Sequence, residues 1–184
     1  MISVVTVHGL WMRGAAMDAL RRRLTPHAWR VVNFSYPSVT KSLEANTTEL
    51  DAYVDSVPGD TVHLVGHSLG AVLICALLER RVPARLGRIV CLGAPFKGSR
   101  TAARVLRLPG GKHLIGTSLG DVNARGGFAK FPAGVEVGSI AGRLPFGVGR
   151  LFGPFREPND GTVAVAETKI DGLADHGVVR VSHV

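Results

Sequence analysis

Cysteine is scarce in this chain: its 184 residues hold two, Cys75 and Cys91. Each stands inside an apolar run, AVLICALL and RIVCLGA. Two isolated cysteines without metal-type spacing make no disulfide framework and read as small core residues rather than zinc or redox groups. Long hydrophobic runs are missing too. No stretch approaches the ~20 apolar residues a membrane span needs, so no stable membrane insertion is expected. The first residues, MISVVTVHGLW, lack the basic segment and small-residue cleavage site of a secretory signal, which makes the cytoplasm the expected location. Acidic residues are outnumbered, 14 against 22 basic ones, leaving a formal net charge of +8. Yet the arginine groups (Arg21-Arg22-Arg23, Arg80-Arg81-Arg85-Arg88 and Arg100-Arg104-Arg107) recur at helix-like positions with no interleaved aromatics and no nucleic-acid motif. They read as solvated helix faces, and no nucleic-acid partner is expected. No repeat or linker divides the chain, so residues 1–184 are expected to form one domain.

What is present is an alternation of short β-branched runs with helical patterns, the pattern of βαβ units and a parallel sheet. Ile2–Val7, Arg30–Phe34, Thr61–Gly66, Arg88–Leu92, Val135–Ile140 and Val178–Ser182 are the predicted strands. Met17, Leu20 and Leu24 share one helical face, and Leu43, Leu50, Val54 and Val57 share another. LGAVLICALLERR is apolar on every side until Glu79, as a helix packed in the interior should be. Ser99 is placed to cap a short helix over TAARVLRL. The stretch GRLPFGVGRLFGPFREPNDG combines Gly and Pro with Phe and Leu, and suits either core packing or the wall of a cleft.

The pentapeptide G-x-S-x-G occurs twice, as Gly66-His67-Ser68-Leu69-Gly70 and as Gly116-Thr117-Ser118-Leu119-Gly120. A serine hydroxyl needs a neighbouring base and an oxyanion site to act as a nucleophile. A sharp strand-to-helix turn supplies the setting, because it lifts the hydroxyl above the sheet beside free amides at a helix N-terminus. The first copy has a strand before it and a buried helix after it. The second is preceded by PGGKHLI and followed by DVNARGG, and reads as a Gly-rich turn. Ser68 is therefore the candidate nucleophile.

On this architecture an acid and then a base follow the serine in the chain. Asp160, in the turn PNDG after the fifth strand, is the candidate acid, with Asp171 and Asp175 next in line and Asp121 read as a solvated or capping group. His183 follows the last predicted strand and so falls at its carboxyl end, where sites in parallel sheets form; His176 precedes that strand, at the wrong edge. His67 adjoins Ser68, where side chains diverge, and His63 reads as sheet-facing. The amides of Leu69 and of Leu10, in the VHGLWM loop after the first strand, are the candidate oxyanion donors.

The segments VHGLW, VGHSLGAV, PNDGTV and VSHV together resemble the α/β-hydrolase superfamily, particularly its small bacterial lipase- and esterase-like members. The resemblance implies a minimal α/β-hydrolase fold: about six parallel strands, helices on both faces, no large cap domain. It implies a serine hydrolase of carboxylic esters with Ser68 as nucleophile, His183 as general acid/base and Asp160 as orienting acid, and no metal or organic cofactor. Trp11, Met12, Phe96, Phe146 and Phe152 are candidate pocket walls and would suit an apolar acyl group on a small-molecule or lipid ester. Lys97–Pro132 or Leu144–Pro154 could act as a small lid. Related folds continue beyond the base into a helix that covers the sheet; here an uncovered apolar face would invite a partner chain, so a homo-oligomer is within expectation. The alternative is a hydrolase fold kept for binding or scaffolding without catalysis.

Overall fold

In a computed structural model of the chain, residues 1–27, 29–153 and 155–183 are described. Six strands form one parallel sheet in the order β2-β1-β3-β4-β5-β6. They are β1 (Ile2–Val7), β2 (Arg30–Phe34), β3 (Thr61–His67), β4 (Leu86–Leu92), β5 (Val137–Gly142) and β6 (Asp175–Val179). The helices are α1 (Asp18–Leu24), α2 (Leu43–Ser56), α3 (Leu69–Arg80), α4 (Arg100–Val105) and α5 (Gly111–Ala124).

Alternate side chains of a strand point to opposite faces, and the two faces are covered unequally. Val5, Val7, Leu64, Ile89 and Cys91 face α2 and α3 and join Leu50, Val54, Leu73 and Leu77 in the main core. α3 is buried at every residue from Leu69 to Leu78 because the sheet lies on one side and α2 on the other. On the opposite face, α1 covers the β1–β2 edge. There Asp18 accepts a hydrogen bond from Asn33 (2.8 Å), which itself pairs with Thr6 (2.7 Å). Further along this face Val90 and Leu92 are half-buried, and Ile140 and Val179 are exposed.

Caps start the helices where the sequence pattern placed them. Ser42 accepts from the Ala45 amide (3.1 Å) at the start of α2, and Ser99 from the Ala102 amide (3.1 Å) at the start of α4. Asp121 also caps, accepting from the Leu43 amide (2.9 Å) at the start of α2.

Two expectations need correction. The last strand was expected over Val178–Ser182 and runs instead over Asp175–Val179. Its register is set by β5, from Gly138↔Asp175 to Gly142↔Val179, and β6 stops where its partner stops. His176 consequently lies inside the strand, its Nε2 donating to the Thr168 hydroxyl (2.8 Å). The second correction concerns GTSLG, which is not a turn but part of α5, kinked at Gly116 (φ 72°, ψ 174°). Ile115, Leu119 and Val122 make a buried stripe that packs this helix onto the core. A Cβ at Gly116 would lie 2.7 Å from the Val39 backbone, so the kink lets α5 pass close to the loop before α2.

Candidate active site

β3 runs straight into α3, and Ser68 occupies the single residue between them. Its backbone takes φ 52°, ψ −119°, a conformation that a non-glycine residue seldom adopts. Neighbouring bonds hold it there. The Ser68 amide donates to the Leu92 carbonyl of β4 (2.8 Å), while its own carbonyl accepts from Ala71 (3.1 Å) and Val72 (3.4 Å) to open the helix. The flanking glycines permit the corner. A Cβ on Gly66 would lie 2.4 Å from the Cα of Ala71, a distance no real structure tolerates. The serine side chain is half-exposed, so a substrate can reach it.

Two later segments converge on this corner. Asp160 sits in the turn after β5 with 2% of its surface exposed. Its Oδ1 accepts from the amides of Thr162 (3.0 Å) and Val163 (2.7 Å), so the turn itself solvates the buried carboxylate. Its Oδ2 faces His183 Nδ1 at 2.7 Å. His183 Nε2 lies 3.0 Å from Ser68 Oγ. With Nδ1 donating to the carboxylate, Nε2 is left bare to accept the serine proton. Ser68, His183 and Asp160 thus form one hydrogen-bonded chain. Asp171 and Asp175 stand apart from it: the Asp171 backbone pairs with the segment around Lys130, and Asp175 starts β6 at the opposite end of the sheet.

The amides of Leu69 and Gly70 open α3 and have no acceptor within the helix, which leaves positive dipole directed at the serine. The loop after β1 closes in from the other side. A Cβ on Gly9 would lie 3.1 Å from Ser68 Cβ, so the backbone at Gly9 passes close to the serine side chain. His8 holds this loop in place. Its Nε2 accepts from the Tyr36 amide (3.2 Å), its Nδ1 donates to the Gly9 carbonyl (2.8 Å), and its ring stacks on Tyr36 at 4.4 Å. The Tyr36 hydroxyl returns a bond to the His8 carbonyl (2.9 Å). Burial lowers the pKa of His8 below the ordinary histidine value, keeping it neutral as this bonding requires.

The expected walls divide. Trp11 and Met12 line a groove of about 560 Å³ with Tyr36, Pro37 and Val39. Trp11 is 62% exposed with φ 64°, its backbone amide bonded to Ser38 (3.2 Å) and its indole to the Leu114 carbonyl of α5 (2.9 Å). Phe146 is exposed on the loop after β5, and Phe152 is half-buried against the core. Phe96 must be withdrawn as a wall. It has no exposed surface and packs edge-to-face on Phe131 (5.3 Å), so it belongs to the core. Of the two stretches suggested as lids, the first contains α4 and α5 and is tied down by Thr117 N to Val39 O (2.8 Å) and by Ser118 to α2. The second ends at Pro154, which lies outside the described residues.

His67 was set aside as a base on sequence grounds, and its actual contact was not foreseen. Its Nε2 donates to the carbonyl oxygen of His183 at 2.9 Å. Desolvation and then the neighbouring His183 pull its pKa down to about 4, so it is neutral at ordinary pH. The segment that carries His183 passes over β3 only in the folded chain, and nothing local in the sequence announces the contact. Among the described residues, no group of three or more His, Cys, Asp or Glu side chains is placed to hold a metal ion.

A serine at the corner between a central parallel strand and a buried helix, met by a histidine and a carboxylate from later loops, defines a parallel-sheet protein with these three side chains gathered at the carboxyl edge of the strands. The model of the alpha/beta hydrolase family matches residues 4–169, and the chain belongs to that family. Solved structures agree on the fold. The Bacillus licheniformis lipase BlEst2 in its mature form superposes with a TM-score of 0.75 at 18% identity, over 98% of this chain and 84% of that one. A metagenomic carboxyl esterase, MGS0156, gives 0.73 at 22% identity, over 99% of this chain and 64% of that one. The ydeN gene product of B. subtilis gives 0.68 at 18%, over 100% and 88%. A comparison with curated proteins gives no significant match.

Proposed function

We propose that this hydrolase is a serine esterase that cleaves carboxylic esters through an acyl-enzyme on Ser68. The observation that carries the reading is the pair of distances at His183, 3.0 Å to the serine hydroxyl and 2.7 Å to the Asp160 carboxylate. In the first half-reaction Ser68 Oγ attacks the ester carbonyl carbon while His183 Nε2 takes its proton. The resulting oxyanion accepts from the amides of Leu69 and Leu10. Collapse expels the alcohol, which leaves with the proton from His183. Water then attacks the acyl-serine with His183 again as base, and the acid is released as Ser68 regains its proton. Asp160 stays ionised and holds the imidazole in the tautomer the cycle needs.

Of the candidate walls, Trp11 and Met12 line the groove beside the loop after β1, and an apolar lining of this kind favours an uncharged acyl group over a sugar or a charged peptide. No described helix is long and apolar enough to cross a membrane. The test is labelling with a fluorophosphonate probe, followed by mass spectrometry of the modified peptide. Modification of Ser68, lost in Ser68→Ala, supports the reading. An intact folded sample that fails to label, or that labels at Ser118, overturns it. A panel of activated esters of graded acyl length then sets the substrate class.

A further inference from the structure

His183 reaches Ser68 from a segment with little regular structure. β6 ends at Val179, and residues 180–183 continue as neither helix nor strand. Its backbone is nevertheless held on both sides of its Cα. The His183 amide donates to the Asp160 carbonyl (3.0 Å), and the His183 carbonyl accepts from His67 Nε2 (2.9 Å). We propose that His67 is a positioning residue for the base, fixing the His183 backbone so that the imidazole stays aligned between Asp160 and Ser68. The inference rests on the reading of these three residues as the catalytic group.

The geometry of His67 suits that task. It is the last residue of β3, paired with Leu92 of β4, so its own backbone belongs to the sheet. Its ring lies 5.0 Å from that of His183, tilted by 46°. On the other edge, a Cβ at Gly9 would lie 3.0 Å from His67 Nδ1, so the glycine leaves room for the ring and the loop after β1 hems it in. The imidazole is therefore a strut between that loop and the His183 carbonyl. Its Nε2 carries a hydrogen committed to a carbonyl, and its Nδ1 faces Gly9. The Nε2 hydrogen, so committed, is not offered to a substrate. With the carbonyl anchored as well as the amide, the ring's position depends only on its two side-chain torsions, which the bond to Asp160 then restricts. Without the strut, the carbonyl can turn about the Cα and carry the ring off line. A displacement of about 1 Å at a reacting group can slow turnover by about 100-fold.

The experiment compares the full chain with His67→Ala, His67→Asn and His67→Gln. Alanine has no donor, and the asparagine amide falls short of the carbonyl. The glutamine amide extends about as far as Nε2 and can donate. Four measurements are made: the rate of fluorophosphonate labelling at Ser68, kcat and KM on a short-chain activated ester, the thermal midpoint, and the low-field proton resonance of His183 Nδ1–H. In His67→Ala and His67→Asn, labelling and kcat should fall by about 10- to 100-fold, with KM within about twofold of the parent. The low-field resonance should broaden or disappear in both. His67→Gln should recover kcat to within about threefold and restore the resonance. Labelling and resonance unchanged in folded His67→Ala or His67→Asn would overturn the proposal. So would a His67→Gln protein that is folded and as slow as His67→Ala. Failure of the parent chain to label counts against the hydrolase reading instead, and the resonance still tests the anchoring of His183. Should His67→Ala not fold, His67→Asn against His67→Gln carries the comparison.

Discussion

Gly70 and Val7 are packed backbone against backbone: a Cβ at position 70 would lie 2.3 Å from the Val7 carbonyl oxygen. Through this contact the first turn of α3 is pressed against the end of β1, and the serine corner and the loop of His8 and Gly9 come together. The second glycine of the pentapeptide therefore serves the meeting of two loops.

Gly70→Ala should consequently be destabilising although alanine is the better helix former. Nothing soft lies in the way of the added methyl group, since its neighbours are the main chains of Val7 and His8. Overpacking against backbone is expected to cost about 3 kcal/mol, which lowers the thermal midpoint of a chain of this size by roughly 10 °C. Thermal unfolding followed by circular dichroism measures it. A midpoint within a degree or two of the parent would mean that α3 can slide away from β1, and that the corner is less constrained than described.

The two pentapeptides also show what a sequence discloses. Around Ser68 the local signals agreed: a β-branched strand, a glycine-flanked serine, and a helix apolar on every side, which the fold buries from Leu69 to Leu78. The central strands were legible for the same reason, because residues covered on both faces are almost all apolar. Around Ser118 the glycines spoke for a turn, yet Ile115, Leu119 and Val122 find a helical role through contacts with α2 and α4 that no local pattern contains. β6 was misplaced because an edge strand, half in water, carries a weak apolar pattern. Phe96 shows the limit of residue type, since a phenylalanine in the core and one in a cleft read alike. The contact of His67 with His183 spans 116 positions and exists only once the final segment has crossed β3.

Ser118 provides a clean contrast with Ser68. It is fully buried, donating to the Lys41 carbonyl (2.8 Å) and accepting from Asn46 Nδ2 (2.8 Å). Ser118→Ala should leave probe labelling and ester turnover at parent levels. It should lower stability by about 2 kcal/mol, because a buried carbonyl and an amide lose their partner. Urea unfolding and a labelling assay on the same sample measure both. A loss of labelling without a loss of stability would contradict this division of roles.

Acid should weaken the fold partly through the neutral histidines beside the site. The pKa of His67 is pulled down to about 4 and that of His8 is also lowered, each chiefly by desolvation, whereas both titrate near 6.5 when unfolded. Between those values the unfolded chain binds more protons than the folded one, so stability rises with pH across the window. The contribution is complete above about pH 6.5 and lost as pH falls toward 4. His67 is half-buried, so solvent screening reduces its share to on the order of 2 kcal/mol. Urea midpoints from pH 7.5 down to pH 4 should therefore fall less steeply in His67→Gln than in the parent. Parallel slopes would show that His67 titrates normally in the folded state.

Asp160→Asn separates shape from protonation. The asparagine oxygen can still accept from the Thr162 and Val163 amides, which bond Oδ1 at 3.0 and 2.7 Å, so the turn and the fold should survive. In place of the second carboxylate oxygen stands an NH2 group, which can only donate. His183 Nδ1 must then become the acceptor, and the ring hydrogen moves to Nε2, where it faces the Ser68 hydroxyl. A base whose nitrogen already carries a proton cannot take another from the nucleophile, and the carboxylate that would stabilise the imidazolium is gone. Turnover should fall by about 10³- to 10⁴-fold, with a thermal midpoint near the parent's and labelling of Ser68 slowed in parallel. Steady-state rates on an activated ester with matched unfolding curves measure it. A rate within tenfold of the parent would remove Asp160 from the mechanism and require His183 to be oriented by its backbone anchors alone.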